Sequence, residues 1–153
     1  MATFWRISGH QDLSGEGAKY ASACWHTKGN LVVYLAESPA GAMVERLVHL
    51  PDTEGQLPRT YDLLEIAAPE TLAVKNLMPP AGIEWKKRVA ITRQIGDTWL
   101  ASGECALARV PSAIVPRTWN VLLNPVHPGA RELKITSVIR ERFDDRLFRL
   151  EAH

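Results

Sequence analysis

Five side chains stand where their types could do chemistry without a metal. Glu45 lies one residue from Val44 in an apolar stretch of helical spacing, which puts a carboxylate at the border of a buried face. It is either a solvated helical glutamate or a charge kept for a site. Tyr34 falls inside the apolar run Leu31–Ala36, where a phenol needs a polar partner, as a core aromatic or as part of a pocket. Ser112 follows Pro111 in an otherwise extended stretch, as a turn element or as a hydroxyl at a broken strand. Arg6 ends the first apolar stretch, where it holds an anion or joins a surface ion pair worth at most about 1 kcal/mol. Cys24 and Cys105 stand apart without CxxC spacing, so packing is their default role. The five histidines form no HExxH or related ligand pattern, and no metal site is expected.

The elements that must position these residues follow from local chemistry. Thr3 to Ile7 reads as a short strand and Ser8 to Gly17 as a loop rich in glycine and serine. Leu31 to Ala36 suits a buried strand at the sheet centre, entered through Gly29 and Asn30. Ser38 then offers an N-cap and Pro39 a first helical residue, for a helix running to about His49 and stopped by Pro51. On it Met43, Val44, Leu47 and Val48 share the expected buried face. Tyr61 to Ala67 reads as a strand, and Pro69 to Pro80 as an irregular connection, wholly so or with a helical part. Trp85 to about Ser102 reads as a helix weakened by Gly96, and Leu107 to Val115 as a strand broken at Pro111. Leu133 to Ile139 and Leu147 to Leu150 alternate as terminal strands. Strands and helices mix without a βαβ rhythm, so the fold class is α+β.

With 153 residues the chain fits one domain, 1–153, long enough to bury roughly two-thirds of its unfolded surface. Lys and Arg total 18 against 17 Asp and Glu, so no global field draws the chain to nucleic acid or to an anionic membrane. No signal-peptide core or membrane-length apolar run is present, and a cytoplasmic location is expected. GxGxxG, GxxxxGK[ST] and GxSxG are all missing, which removes the usual support for dinucleotide dehydrogenases, P-loop NTPases and α/β-hydrolases.

Taken in order, Phe4-Trp5-Arg6-Ile7, Leu13 to Ala18, Val33 to Ser38 and Met43 to Leu50 resemble the N-terminal half of a RES domain. Arg109 to Pro116 and Trp119 to Pro125 resemble its C-terminal half. The resemblance implies a single compact domain similar to the ADP-ribosyltransferase fold and the toxin of a type II toxin–antitoxin pair. It also implies NAD as substrate, no metal, and an Xre-like antitoxin as partner. ADP-ribose is passed to water or phosphate (a glycohydrolase or phosphorylase) or to a protein acceptor (an ADP-ribosyltransferase). Glu45, Tyr34 and Ser112 match the family's catalytic positions. Arg6, Tyr34 and Ser112 are expected to line the NAD pocket, with Cys24 at the same pocket. The family's usual Gly-Gly-Arg-Trp-Asn is replaced here by Ser22-Ala23-Cys24-Trp25-His26, so a thiol stands where the family has a guanidinium. A thiol lacks the planar, permanently charged fork that grips phosphate. That departure opens an alternative, a catalytically weakened member that acts mainly by binding its antitoxin.

The chemistry implied is cleavage between nicotinamide and ribose through a transition state with positive charge at the anomeric carbon. Glu45 would stabilise that charge. Tyr34 would stack beside nicotinamide or orient ribose through its hydroxyl, Ser112 would donate to ribose or phosphate, and Arg6 would pair with the diphosphate.

Overall fold

The structure, a computed structural model, describes residues 1–50 and 57–148. Seven strands form one mixed sheet: β1 (Ala2–Ile7), β2 (Val33–Ala36), β3 (Thr60–Ala68), β4 (Val74–Asn76), β5 (Leu107–Pro111), β6 (Trp119–Leu123) and β7 (Lys134–Arg142). Two helices, α1 (Pro39–Leu47) and α2 (Val89–Ser102), accompany it, with short 3₁₀ turns at Glu16–Lys19, Trp85–Lys87, Pro128–Glu132 and Asp145–Phe148. The strand order is β4-β5-β6-β2-β1-β3-β7, so β2 is central, as its apolar run requires. The α+β expectation holds.

Two apolar clusters occupy the two faces. Phe4, Val33, Leu35, Leu64, Ile66, Leu107, Val121 and Leu123 pack on one, and this set joins strands from both halves of the order, so the sheet curves around them. Trp25, Val32, Trp99, Ala108, Val110 and Leu122 pack on the other, with Tyr34 and Cys24 against them. Alternation along the strands makes the split: Val33 and Leu35 face one way and Tyr34 the other.

The ladder is uneven at its middle. β1 pairs with β3 along its whole length, from Ala2 with Ala68 to Ile7 with Leu63. With β2 it forms a single pair, Trp5 with Ala36. Both strands continue past that pair, β1 to Ile7 and β2 back to Val33, with their facing edges unpaired. The sheet is thus two sub-sheets, β4-β5-β6-β2 and β1-β3-β7, joined at one residue pair.

Helix α1 starts as its sequence dictates. Ser38, extended at φ −143°, accepts a hydrogen bond from the Gly41 amide at 2.9 Å, and Pro39 occupies the first turn. The helix ends at Leu47, and Pro51 lies outside the described residues. Its expected buried face holds in part: Met43, Val44 and Leu47 are half-buried, as is Glu45, while Ala42 is the buried residue and Val48, expected inside, is 48% exposed. Helix α2 carries Gly96 for a reason absent from its propensity: a Cβ there would lie 1.7 Å from the Trp25 carbonyl oxygen. Close approach of the helix to residues 23–27 requires the missing side chain.

Three expectations fail elsewhere, the first in the connection from Pro69 to Pro80, where Val74–Asn76 forms β4, parallel to β5. Leu147 and Phe148 lie in a 3₁₀ turn instead of a terminal strand, while Arg149 and Leu150 are outside the described residues. Strand β6 has no counterpart among the expected strands. Its sequence, Trp-Asn-Val-Leu-Leu, is buried on both faces from Val121 on, which removes the alternation that marks a half-exposed strand.

Candidate functional site

Glu45 is held through one oxygen. Its Oε1 accepts from the Ser112 hydroxyl at 3.0 Å and from the Asn120 amide at 2.9 Å, while Oε2 has no hydrogen-bond partner among the described residues. Three elements converge here: α1 brings the carboxylate, the end of β5 brings Ser112, and β6 brings Asn120 opposite Ala36 of β2. The Asn120 amide orientation is fixed by chemistry, since only its NH₂ can meet a carboxylate oxygen. Its Oδ1 is buried without a partner among the described residues. An orphaned buried acceptor costs about 1–3 kcal/mol, a cost the site carries to give Glu45 a second donor.

Ser112 is 4% exposed and its hydroxyl is fully used. It donates to Glu45 and accepts from the amides of Ile114 at 3.1 Å and Val115 at 3.2 Å. A hydroxyl has one proton, so a bond from Ser112 to ribose or phosphate requires giving up Glu45. Ser112 follows the β5–β6 ladder, its amide donating to the Thr118 carbonyl at 2.8 Å, so alternation puts its side chain on the face of Val110 and Asn120.

Tyr34 is similarly committed. Its hydroxyl lies 2.8 Å from His26 Nδ1 and accepts from the Trp25 amide at 3.2 Å. His26 is 2% exposed, and its Nε2 lies 3.1 Å from the Ala18 carbonyl oxygen, which can only accept. Nε2 of a neutral His26 therefore carries the proton, Nδ1 accepts, and Tyr34 donates to it. The phenol keeps no proton for a ligand, and burial raises its pKa further.

Cys24 sits between these groups. Burial pushes its thiol pKa up, the Glu45 charge adds to the rise, and the Arg93 guanidinium opposes it. The thiol is therefore neutral near pH 7 and supplies no charge. Arg6 is placed differently. Trp5 shares a face with Ala36, so Arg6, next along the strand, turns to the other face, with Leu64 opposite. Its Nη1 donates to the Asp12 carbonyl at 3.1 Å; burial lowers its pKa and Asp12 opposes that. Among the described residues, no hydrogen bond or ion pair joins Arg6 to Glu45, Tyr34 or Ser112; it flanks the unpaired seam of β1 from the other face. A surface hollow of about 210 Å³ lies beyond that strand's end, lined by Ile7, Arg46, Asp62 and Arg140 among others, and none of Glu45, Tyr34, Ser112 or Cys24 borders it.

The structure thus joins Glu45 to Ser112, sets Tyr34 and Cys24 against one cluster, and leaves Arg6 across the sheet. Sequence reasoning misses Asn120 and His26. A lone polar residue inside an apolar strand was the available signal for Asn120.

The RES domain matches residues 3–145. "Toxin Res" of Pseudomonas putida is 44% identical over 131 residues, covering 86% of this chain and 90% of that protein. "Prs ADP-ribosylating toxin" of Sphingobium sp. is 37% identical over 158 residues, covering 96% and 97%. The fold is similar to that in the crystal structure of the M. tuberculosis MbcT–MbcA toxin–antitoxin complex, with a TM-score of 0.71 at 22% identity, over 95% of this chain and 86% of that one. Matched over nearly its whole length, the chain belongs to the RES-domain family.

Proposed function

We propose that the chain is the toxin of a toxin–antitoxin pair and that it cleaves the bond between nicotinamide and ribose in NAD. The observation that carries this reading is the pinned carboxylate: two donors fix Oε1 of Glu45 and leave Oε2 to face a substrate. As the C–N bond breaks, its electron pair leaves with neutral nicotinamide and positive charge grows at the anomeric carbon. A carboxylate oriented before the reaction stabilises that charge without reorganising. Ser112 and Asn120 act through Glu45. Tyr34 offers its ring, since its hydroxyl can still accept but not donate without leaving His26. Arg6, on the opposite face at the unpaired seam, would meet a dinucleotide from the far lip.

ADP-ribose passes to water, phosphate or a protein, and the chain works in the cytoplasm under restraint by an Xre-like antitoxin. The relatives named as toxins, one of them ADP-ribosylating, support this reading. The second reading, a weakened member that mainly binds its antitoxin, rests on the neutral thiol of Cys24. Following nicotinamide release from NAD by the purified chain, with and without phosphate, separates the two. Steady release supports the enzyme; none from folded protein under either condition supports the binding partner.

A further inference from the structure

Helix α2 is fastened to residues 23–27 through its residues 92–97. The Thr92 hydroxyl donates to the Cys24 carbonyl, Arg93 Nε donates to the Ala23 carbonyl at 2.8 Å, and Gly96 admits the Trp25 backbone. Asp97 accepts from the Thr27 amide at 2.9 Å, from its hydroxyl at 2.7 Å and from the Asn30 side chain at 2.9 Å. Of the three polar side chains that reach this segment, Thr92 and Asp97 are used up by it. The exception is Arg93, whose guanidinium is tied only at Nε. Its two terminal nitrogens have no hydrogen bond or ion pair among the described residues.

We propose that Arg93 is the anion-binding guanidinium of this site, meeting the diphosphate of a dinucleotide where Cys24 offers only a thiol. The inference rests on the proposed use of NAD. Fixing Nε orients a planar group and leaves its end-on edge, one N–H from each terminal nitrogen, for a bidentate phosphate contact. Its contact with Ala23 puts the cation beside Cys24, and its charge opposes the rise that burial causes in the pKa of the Cys24 thiol and the Tyr34 hydroxyl. Position 24 and position 93 are neighbours through the Ala23 carbonyl, so a guanidinium delivered from the helix serves the same region as one delivered from the loop.

A purely structural Arg93 would only clamp the Ala23 carbonyl, and an exchange of residues distinguishes the two roles. Arg93→Gln keeps an N–H donor for that carbonyl and removes the charge. Its affinity for ADP, measured by calorimetry, should fall about tenfold or more, the effect of losing a charge-assisted hydrogen bond. The KM for NAD should rise with a smaller change in kcat, because the lost contact lies away from the breaking bond. Adding Cys24→Arg to Arg93→Gln should return the ADP affinity to within about threefold of the parent, as expected for restored charge-assisted bonds. Thermal unfolding of each variant controls for folding. ADP affinity unchanged by Arg93→Gln, or a double variant as weak as the single one, overturns the proposal. ADP binding needs no turnover, so a chain that binds ADP through Arg93 but releases no nicotinamide keeps this inference and sinks the hydrolytic one. Turnover with ADP affinity indifferent to Arg93 does the reverse.

Discussion

The corner around Glu45 and the corner around Cys24 are built on opposite plans. At the first, the charged group belongs to the expected residue, and its neighbours Ser112 and Asn120 contribute only hydrogen-bond donors. At the second, the expected position carries a neutral thiol, and the nearest guanidinium comes from α2 through its contact with Ala23. The proposed function gives that difference a meaning. In it, a carboxylate stabilising charge on one atom must be held to a fraction of an ångström, which convergence of three elements provides. A cation meeting a diphosphate would face a large, mobile anion, a contact that more than one backbone position can deliver. The first corner therefore tolerates little change, while the second can be rebuilt from a neighbouring element.

That contrast breaks most completely at Gly96. Gly96→Ala forces a Cβ into the Trp25 carbonyl and drives α2 off residues 23–27. The expected cost is about 3 kcal/mol or more, well above the roughly 1 kcal/mol that alanine returns through helix propensity. Chemical denaturation measures it. A variant as stable as the parent would mean that the second corner is not fastened as described.

Asn120→Leu sharpens the comparison by separating stability from activity. It removes a donor from Glu45 and also removes the orphaned Oδ1, so the two contributions to stability oppose each other. Nicotinamide release should fall about tenfold or more, the size expected for one hydrogen bond to a charged group, while the denaturation midpoint moves little. Equal losses in both would make Asn120 a packing residue.

The smallest effect is expected at Tyr34. Tyr34→Phe keeps the ring and leaves His26 Nδ1 without its donor, so stability should drop by about 1 kcal/mol. The kcat should stay within a few-fold of the parent, because the lost proton was never available to substrate. A large fall in kcat at unchanged stability would place the hydroxyl in the reaction.

Local chemistry made much of this legible beforehand. Ser38 and Pro39 announce α1, the apolar run announces β2, and Pro111 announces the end of β5. What could not be read depends on contacts between distant segments. The spacing of α1 puts Glu45 at the border of its apolar residues, yet only the donors from Ser112 and Asn120 show that the carboxylate is received there. Gly96 reads as a weakness of α2 until Trp25 is seen against it. Arg93 and His26 reach their partners across 70 and 8 residues respectively, and no periodicity reports either bond. The side taken by Arg6 depends on the one-pair register with β2, a tertiary fact.

The central claim is that a charge on Glu45, held but not neutralised by its two donors, drives loss of nicotinamide. Glu45→Gln is the most direct measurement, because the amide oxygen can accept from both Ser112 and Asn120 while the charge is gone. With NAD as substrate, nicotinamide release should fall about 10²–10³-fold, the usual consequence of deleting a preorganised electrostatic contact, at nearly the parent's stability. Release at the parent's rate by folded Glu45→Gln protein would contradict the account.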